Sequence, residues 1–64
     1  MAGLGEQIKK ARKSKGMTQT ELADKLFVTR SAVSNWEQDR RVPDLNMLRA
    51  ISEALEDQSL LSEF

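Results

Sequence analysis

Two helix starts of the same design stand eleven residues apart in this chain, and they leave room for little between them. At the first, Thr18 is placed to cap a helix while Glu21 reaches back to the Thr18 amide, which makes a reciprocal capping box. Met17 before that cap and Leu22 after it form a hydrophobic staple. At the second start Thr29 is the cap, with Val28 and Val33 as the staple. Only Leu26, Phe27 and Val28 separate the first helical pattern from the second cap, enough for a tight turn. Two short helices joined by such a turn form a helix-turn-helix, a unit whose second helix usually enters the major groove of DNA. Ser34 to Glu37 also fits the capping-box spacing, but it lies inside an unbroken apolar-periodic stretch and is read as coincidence.

The second helix of the unit has two unlike faces. On a wheel of about 100° per residue, Arg30, Ser31, Ser34, Asn35 and Gln38 fall on one side, and Ala32, Val33 and Trp36 on the other. The apolar side must pack. The polar side carries one charge among five hydrogen-bonding groups, whereas a merely solvated face usually carries Lys and Glu. Arginine can pair with guanine O6/N7, asparagine with adenine N6/N7, and serine with several base groups. The competing reading is a polar surface with no role, and the flanking capping pattern weighs against it.

Length and composition restrict what else the chain can be. Its 64 residues are read as one domain, residues 1–64, of a size that folds alone with a small core. It has no cysteine and no histidine, so disulfides, thiolate zinc sites and the commonest general base are absent. No catalytic residues, metal or cofactor are expected, and the chain is read as not an enzyme. No apolar run is long enough for a bilayer span or a signal peptide, so the expected place of action is the cytoplasm. The 10 basic and 10 acidic side chains cancel, which argues against indiscriminate binding of nucleic acid. They are segregated, however. Residues 1–15 hold a balance of +4 and residues 50–64 a balance of −4. Such a dipole can orient a protein on a polyanion, or it can reflect basic residues gathered at the end of a first helix.

The rest of the chain reads as helix and loop. Leu4, Ile8 and Ala11 mark one face of a first helix over about Leu4 to Lys15, closed by Gly16 in the left-handed position that ends helices. The second helix is Gln19 to Leu26 and the third Arg30 to about Gln38. Asp39 to Pro43 breaks the pattern as a loop. Asp44 then caps a fourth helix with Leu45, Leu48, Ile51 and Leu55 on one face and Asn46, Arg49, Glu53 and Glu56 on the other. Leu60, Leu61 and Phe64 predict a short last helical piece. There is no strand pattern and no repeat.

The run Gly16-Met17-Thr18-Gln19 with Glu21-Leu22-Ala23, then Leu26 through Glu37, then Pro43-Asp44-Leu45 with Leu48 and Ile51, resembles the phage repressor and Cro type of helix-turn-helix proteins, the xenobiotic-response-element family of bacterial regulators. The resemblance covers roughly residues 4–55. It implies an all-α, lambda-repressor-like bundle of four or five helices that binds operator double-stranded DNA as a homodimer on a palindromic site, in a bacterial or phage transcriptional regulator. By the same resemblance Arg30, Ser31 and Asn35 read bases, and Ser34 meets a base or a phosphate. Thr18, Gln19, Gln38, Arg40 and Arg41 meet phosphates, and Gln19 also braces the third helix. Arg12 and Glu37 form a structural pair, which would explain a carboxylate at a helix C-terminus where the dipole disfavours it. Three departures stand out. Phe27 occupies a turn position where glycine is usual, at a cost of about 1–2 kcal/mol if the residue is left-handed unless its ring packs. Ser52 replaces a small apolar residue, which predicts looser packing of the fourth helix. The tail after Leu55 matches weakly, and the second domain that many members carry is not expected within these residues.

Several residues carry a second reading. Trp36 could stack on a base, but its wheel position puts it in the core. Lys9, Lys10, Lys13 and Lys15 read as a solvated face. Leu60, Leu61 and Phe64 are either core closure or contacts between two copies, with the loop around Val42 and Pro43 as the alternative interface. The runner-up function is a protein-interaction module, antitoxin-like or adaptor, with the helix-turn-helix as scaffold and the apolar tail as binding surface.

Overall fold

The computed structural model describes residues 3–57 and residue 60. Four helices are formed: α1 (Leu4–Ser14), α2 (Gln19–Leu26), α3 (Arg30–Glu37) and α4 (Leu45–Leu55). No strand occurs among the described residues. Three of the starts are capped by the side chain that immediately precedes the helix. Thr18 Oγ1 accepts the Glu21 amide at 3.0 Å while Glu21 Oε1 accepts the Thr18 amide at 2.9 Å. Thr29 Oγ1 accepts the Ala32 amide at 3.2 Å, and Asp44 Oδ1 the Met47 amide at 2.7 Å. Each cap satisfies an amide that has no partner within its own helix. Glu21 titrates below the usual glutamate range, first because its carboxylate takes the Thr18 amide and then through its hydrogen bond with the Thr18 side chain, with a smaller pull from Lys25.

The helices end alike. After α1 the amide of Gly16 reaches the Lys13 carbonyl and that of Met17 the Arg12 carbonyl. The same pair of bonds follows α2 around Phe27, α3 around Asp39 and α4 around Glu56. All four pivots have positive φ: Gly16 69°, Phe27 57°, Asp39 58° and Glu56 54°. This is the Schellman closure, which favours glycine at its left-handed residue. Only the first end has one. Phe27 is 96% exposed, so its ring does not offset the strain by packing.

The core is built from the inner faces of all four helices. Ile8, Leu22, Val33, Leu48, Ile51 and Leu55 are fully buried, and Ala11, Ala23, Leu26 and Trp36 close around them. Trp36 is thus a core residue and not a stacking surface. Three expectations are corrected. Leu45, the first residue of α4, is 45% exposed and stands outside the core. Leu60 is 1% exposed and belongs to the core cluster, so it is not available as a contact for a second copy. Leu61 and Phe64 lie outside the described residues. Ser52 does not loosen α4: its hydroxyl donates to the Asp57 carbonyl at 2.6 Å, so a buried polar group secures the end of the helix.

Candidate nucleic-acid interface

The orientation of α3 is set from its inner side. Glu37 is buried, and its carboxylate is held by Arg12 in a two-pronged pair, Nε to Oε2 at 2.6 Å and Nη2 to Oε1 at 3.1 Å. Arg12 also donates from Nη1 to the Met17 carbonyl at 2.7 Å. Gln19 Nε2 donates to Glu37 Oε1 at 3.1 Å. One carboxylate at the end of α3 therefore ties α1, α2 and the loop between them. The pairing offsets the cost of burying the two charges because each of the three guanidinium nitrogens has an acceptor and both carboxylate oxygens have a donor. No buried side-chain nitrogen or oxygen among the described residues lacks a partner.

The outer side of α3 is built differently. Arg30 and Ser31 are exposed, and Ser34 and Asn35 half-buried. The side chains of Arg30, Ser31 and Asn35 make no hydrogen bond among the described residues. Ser34 is partly engaged, since Gln38 Nε2 donates to its Oγ at 2.9 Å. That bond leaves the Ser34 hydroxyl hydrogen and the Gln38 carbonyl for other partners. Beyond the helix Arg40 and Arg41 are exposed. Their amides donate to the Asn35 carbonyl at 2.9 and 3.4 Å, so the arginine pair is attached to the backbone of a residue on the outer face. At the start of α2, Thr18 is exposed and Gln19 half-buried. The capping box occupies the amides of Thr18 and Glu21 and leaves those of Gln19 and Thr20 pointing outward from the positive end of the helix.

Arg30, Ser31, Ser34 and Asn35 thus share one face, with Gln38, Arg40 and Arg41 continuing from its end and Thr18 and Gln19 on the neighbouring helix. Lys10, Lys13 and Lys15 are exposed on α1 and the residue that follows it, and Lys15 pairs loosely with Glu56 at 3.3 Å. The sequence pattern did not reveal Gly5 and Asp39. Asp39 Oδ1 accepts the Gly5 amide at 3.0 Å across 34 residues. An interior glycine in an otherwise sound helical pattern was the available signal, since such a glycine often marks a close approach of backbone.

Among the described residues there is no group of three or more Asp, Glu, His or Cys placed to hold a metal, and no helix long and apolar enough to cross a membrane.

A helix-turn-helix family model matches residues 8–60. The chain is 43% identical over 49 residues to the HTH-type transcriptional regulator ImmR of Bacillus subtilis (strain 168), covering 77% of this chain and 39% of that protein. It is 40% identical over 52 residues to the immunity repressor protein of Bacillus phage phi105, covering 81% and 36%. It is 38% identical over 47 residues to the HTH-type transcriptional activator BcrR of Enterococcus faecalis, covering 73% and 23%. The chain spans less than half the length of these curated relatives. It belongs to the helix-turn-helix family, in its Cro and repressor type.

Proposed function

We propose that this chain is the DNA-binding part of a transcriptional regulator and reads duplex DNA by sequence, with α3 in the major groove. The observation that carries this reading is the outer face of α3. Arg30, Ser31 and Asn35 are uncommitted side chains on a helix whose inner face is locked by Glu37. Base-reading side chains must be held by a rigid support and yet be free to bond outward, and this helix meets both demands. Arg30 and Asn35 read base edges, with Ser31 and Ser34 beside them. Thr18, Gln19, Gln38, Arg40 and Arg41 meet phosphates, helped by the outward amides at the start of α2. The relatives named above as regulators and as a repressor support the same reading. No catalytic step is assigned to the chain, and its place of action is the cytoplasmic nucleoid.

Two copies would occupy a palindromic operator with half-sites about 34 Å apart. With Leu60 in the core, the apolar-tail surface on which an adaptor role rested is reduced. We assign the contact between copies to the loop entering α4, where Val42 is 70% and Leu45 45% exposed. Val42→Ser, which removes the apolar contact without adding a charge, should leave half-site affinity unchanged and remove cooperative binding to the palindrome. Cooperativity that survives the change would place the contact elsewhere.

The reading is tested by selecting bound sites from random duplex DNA. It expects enrichment of one short sequence in two-fold related copies. A pool that stays random after repeated selection would contradict it.

A further inference from the structure

Asp39 supplies to α1 what its own preceding residue cannot. The N-cap of α1 is Gly3, which offers no side-chain acceptor. Asp39 fills that role from the far end of α3, taking the Gly5 amide at 3.0 Å. A carboxylate suits the positive end of a helix. The approach is close on both sides. A Cβ at Gly5 would press on the Trp36 carbonyl and would stand 2.8 Å from both Asp39 Oδ1 and the Glu37 carbonyl. Asp39 holds this contact from a left-handed backbone, φ 58°, a conformation aspartate tolerates better than most residues but does not prefer.

The residues that follow are Arg40 and Arg41, whose amides return to the Asn35 carbonyl. The loop bearing both guanidinium groups is therefore held at two places: at Asn35 by backbone bonds, and at α1 by the Asp39 carboxylate. We infer that Asp39 is a positioning residue for DNA, clamping the arginine loop to the start of α1 so that Arg40 and Arg41 meet phosphates while Asn35 reads a base. The inference rests on the DNA reading proposed above. It runs against the simplest electrostatic expectation, because an anion beside two phosphate-binding arginines should by its charge alone weaken binding to a polyanion.

That conflict of sign provides the test. Affinity of the full chain for its selected duplex and for a scrambled duplex is measured by fluorescence anisotropy over a range of salt, for the unmutated chain, Asp39→Gly and Asp39→Asn. Glycine accepts the left-handed backbone but removes the clamp. Asparagine keeps an acceptor oxygen for Gly5 and removes only the charge. Asp39→Gly should bind both duplexes about tenfold more weakly, with a salt slope shallower by about one, the signature of roughly one lost phosphate contact. Asp39→Asn should bind at least as tightly as the parent. In a background of Arg40→Ala and Arg41→Ala, Asp39→Gly should have no further effect. Equal or tighter binding by Asp39→Gly with an unchanged slope overturns the role, and so does a full effect in the arginine-free background. Should Asp39→Gly fail to fold, hydrogen exchange in the unmutated chain decides. The Gly5 amide must slow on duplex binding together with those of Arg40 and Arg41, and exchange at Gly5 that is indifferent to DNA overturns the role. Failure of the unmutated chain to bind any duplex contradicts the DNA reading and this role with it, whereas binding that Asp39→Gly leaves untouched contradicts the role alone.

Discussion

The inner and outer faces of α3 belong to one eight-residue helix, yet their polar groups are treated in opposite ways. On the inner face the Glu37 carboxylate is enclosed and takes three hydrogen bonds, two from Arg12 and one from Gln19. On the outer face the side chains of Arg30, Ser31 and Asn35 bond to nothing among the described residues. A buried polar group left without partners is destabilising, so the inner face must be complete before any ligand arrives. An exposed polar group has water in the free state and can exchange it for a base edge. The difference separates the work of the helix: Glu37, Trp36 and Val33 fix where it sits, and Arg30, Ser31 and Asn35 are what it presents.

Breaking the inner face should have the largest effect. Glu37→Ala leaves Arg12 charged, buried and short of its main partner, which should cost about 3–5 kcal/mol, a large share of the roughly 5–15 kcal/mol that holds a small domain. Urea unfolding would measure it. Arg12→Met combined with Glu37→Leu should recover most of the loss, because an apolar pair of similar volume avoids the unpaired charge. A double-mutant cycle with no coupling would show that the two faces do not differ as described.

The outer surface should respond in binding and not in stability. Arg40→Ala with Arg41→Ala should weaken binding to every duplex by about 2 kcal/mol or more, since charge-assisted hydrogen bonds are worth roughly 1.5–3 kcal/mol each, and leave the unfolding curve in place. A change in which site is preferred would mean that these arginines read bases.

The turn between α2 and α3 offers a gain. Phe27→Gly removes left-handed strain of about 1–2 kcal/mol and loses no packing, because the ring is 96% exposed. Greater freedom of the unfolded chain returns about 0.4–1 kcal/mol of that. A rise in melting temperature of a few degrees is expected, since about 1 kcal/mol shifts a domain this small by roughly 4–8 °C. A fall would mean that the exposed ring has a partner.

The smallest effect concerns acid. Glu21 titrates below the ordinary glutamate value of 4.5 because its carboxylate takes the Thr18 amide. A carboxylate with a lowered folded pKa contributes stability above its unfolded value, and this is lost as pH falls through the folded value. Glu21→Gln should therefore lose less stability than the parent as pH falls below the ordinary glutamate value of 4.5. Equal acid sensitivity of the two chains would argue against the capping box in solution.

Helix starts were legible in the sequence from the residues that make them, and the positions of helix ends from where the apolar pattern stops. How the chain turns at each end was not legible, for one physical reason. A start is marked by the residue that performs it: the oxygens of Thr18, Thr29 and Asp44 take the amides directly. An end is made by backbone curvature, and the residue at the pivot need only tolerate a positive φ. Gly16 announced its pivot, but Phe27, Asp39 and Glu56 adopt the same conformation without a compositional mark. The start of α1 was legible only as the edge of an apolar pattern, since its cap comes from Asp39, 34 residues from Gly5. On the candidate site, wheel geometry separated Trp36 from Arg30, Ser31 and Asn35, because periodicity decides which side of a helix is buried. The bond from Gln38 to Ser34 and the attachment of Arg40 and Arg41 to the Asn35 carbonyl lay beyond it. Both arise from how the chain leaves α3, which no periodic pattern encodes.

The division of α3 is tested most directly by comparing affinity for the selected duplex with affinity for a scrambled one, at one salt concentration, for the unmutated chain, Arg30→Ala and Asn35→Ala. If the outer face reads bases, each variant should lose about 1–3 kcal/mol on the selected duplex and little on the scrambled one, with preference relaxed at one base pair and the unfolding curve unchanged. A ratio of the two affinities that neither substitution alters would contradict the account, because the side chains that α3 presents would then not be the ones that read DNA.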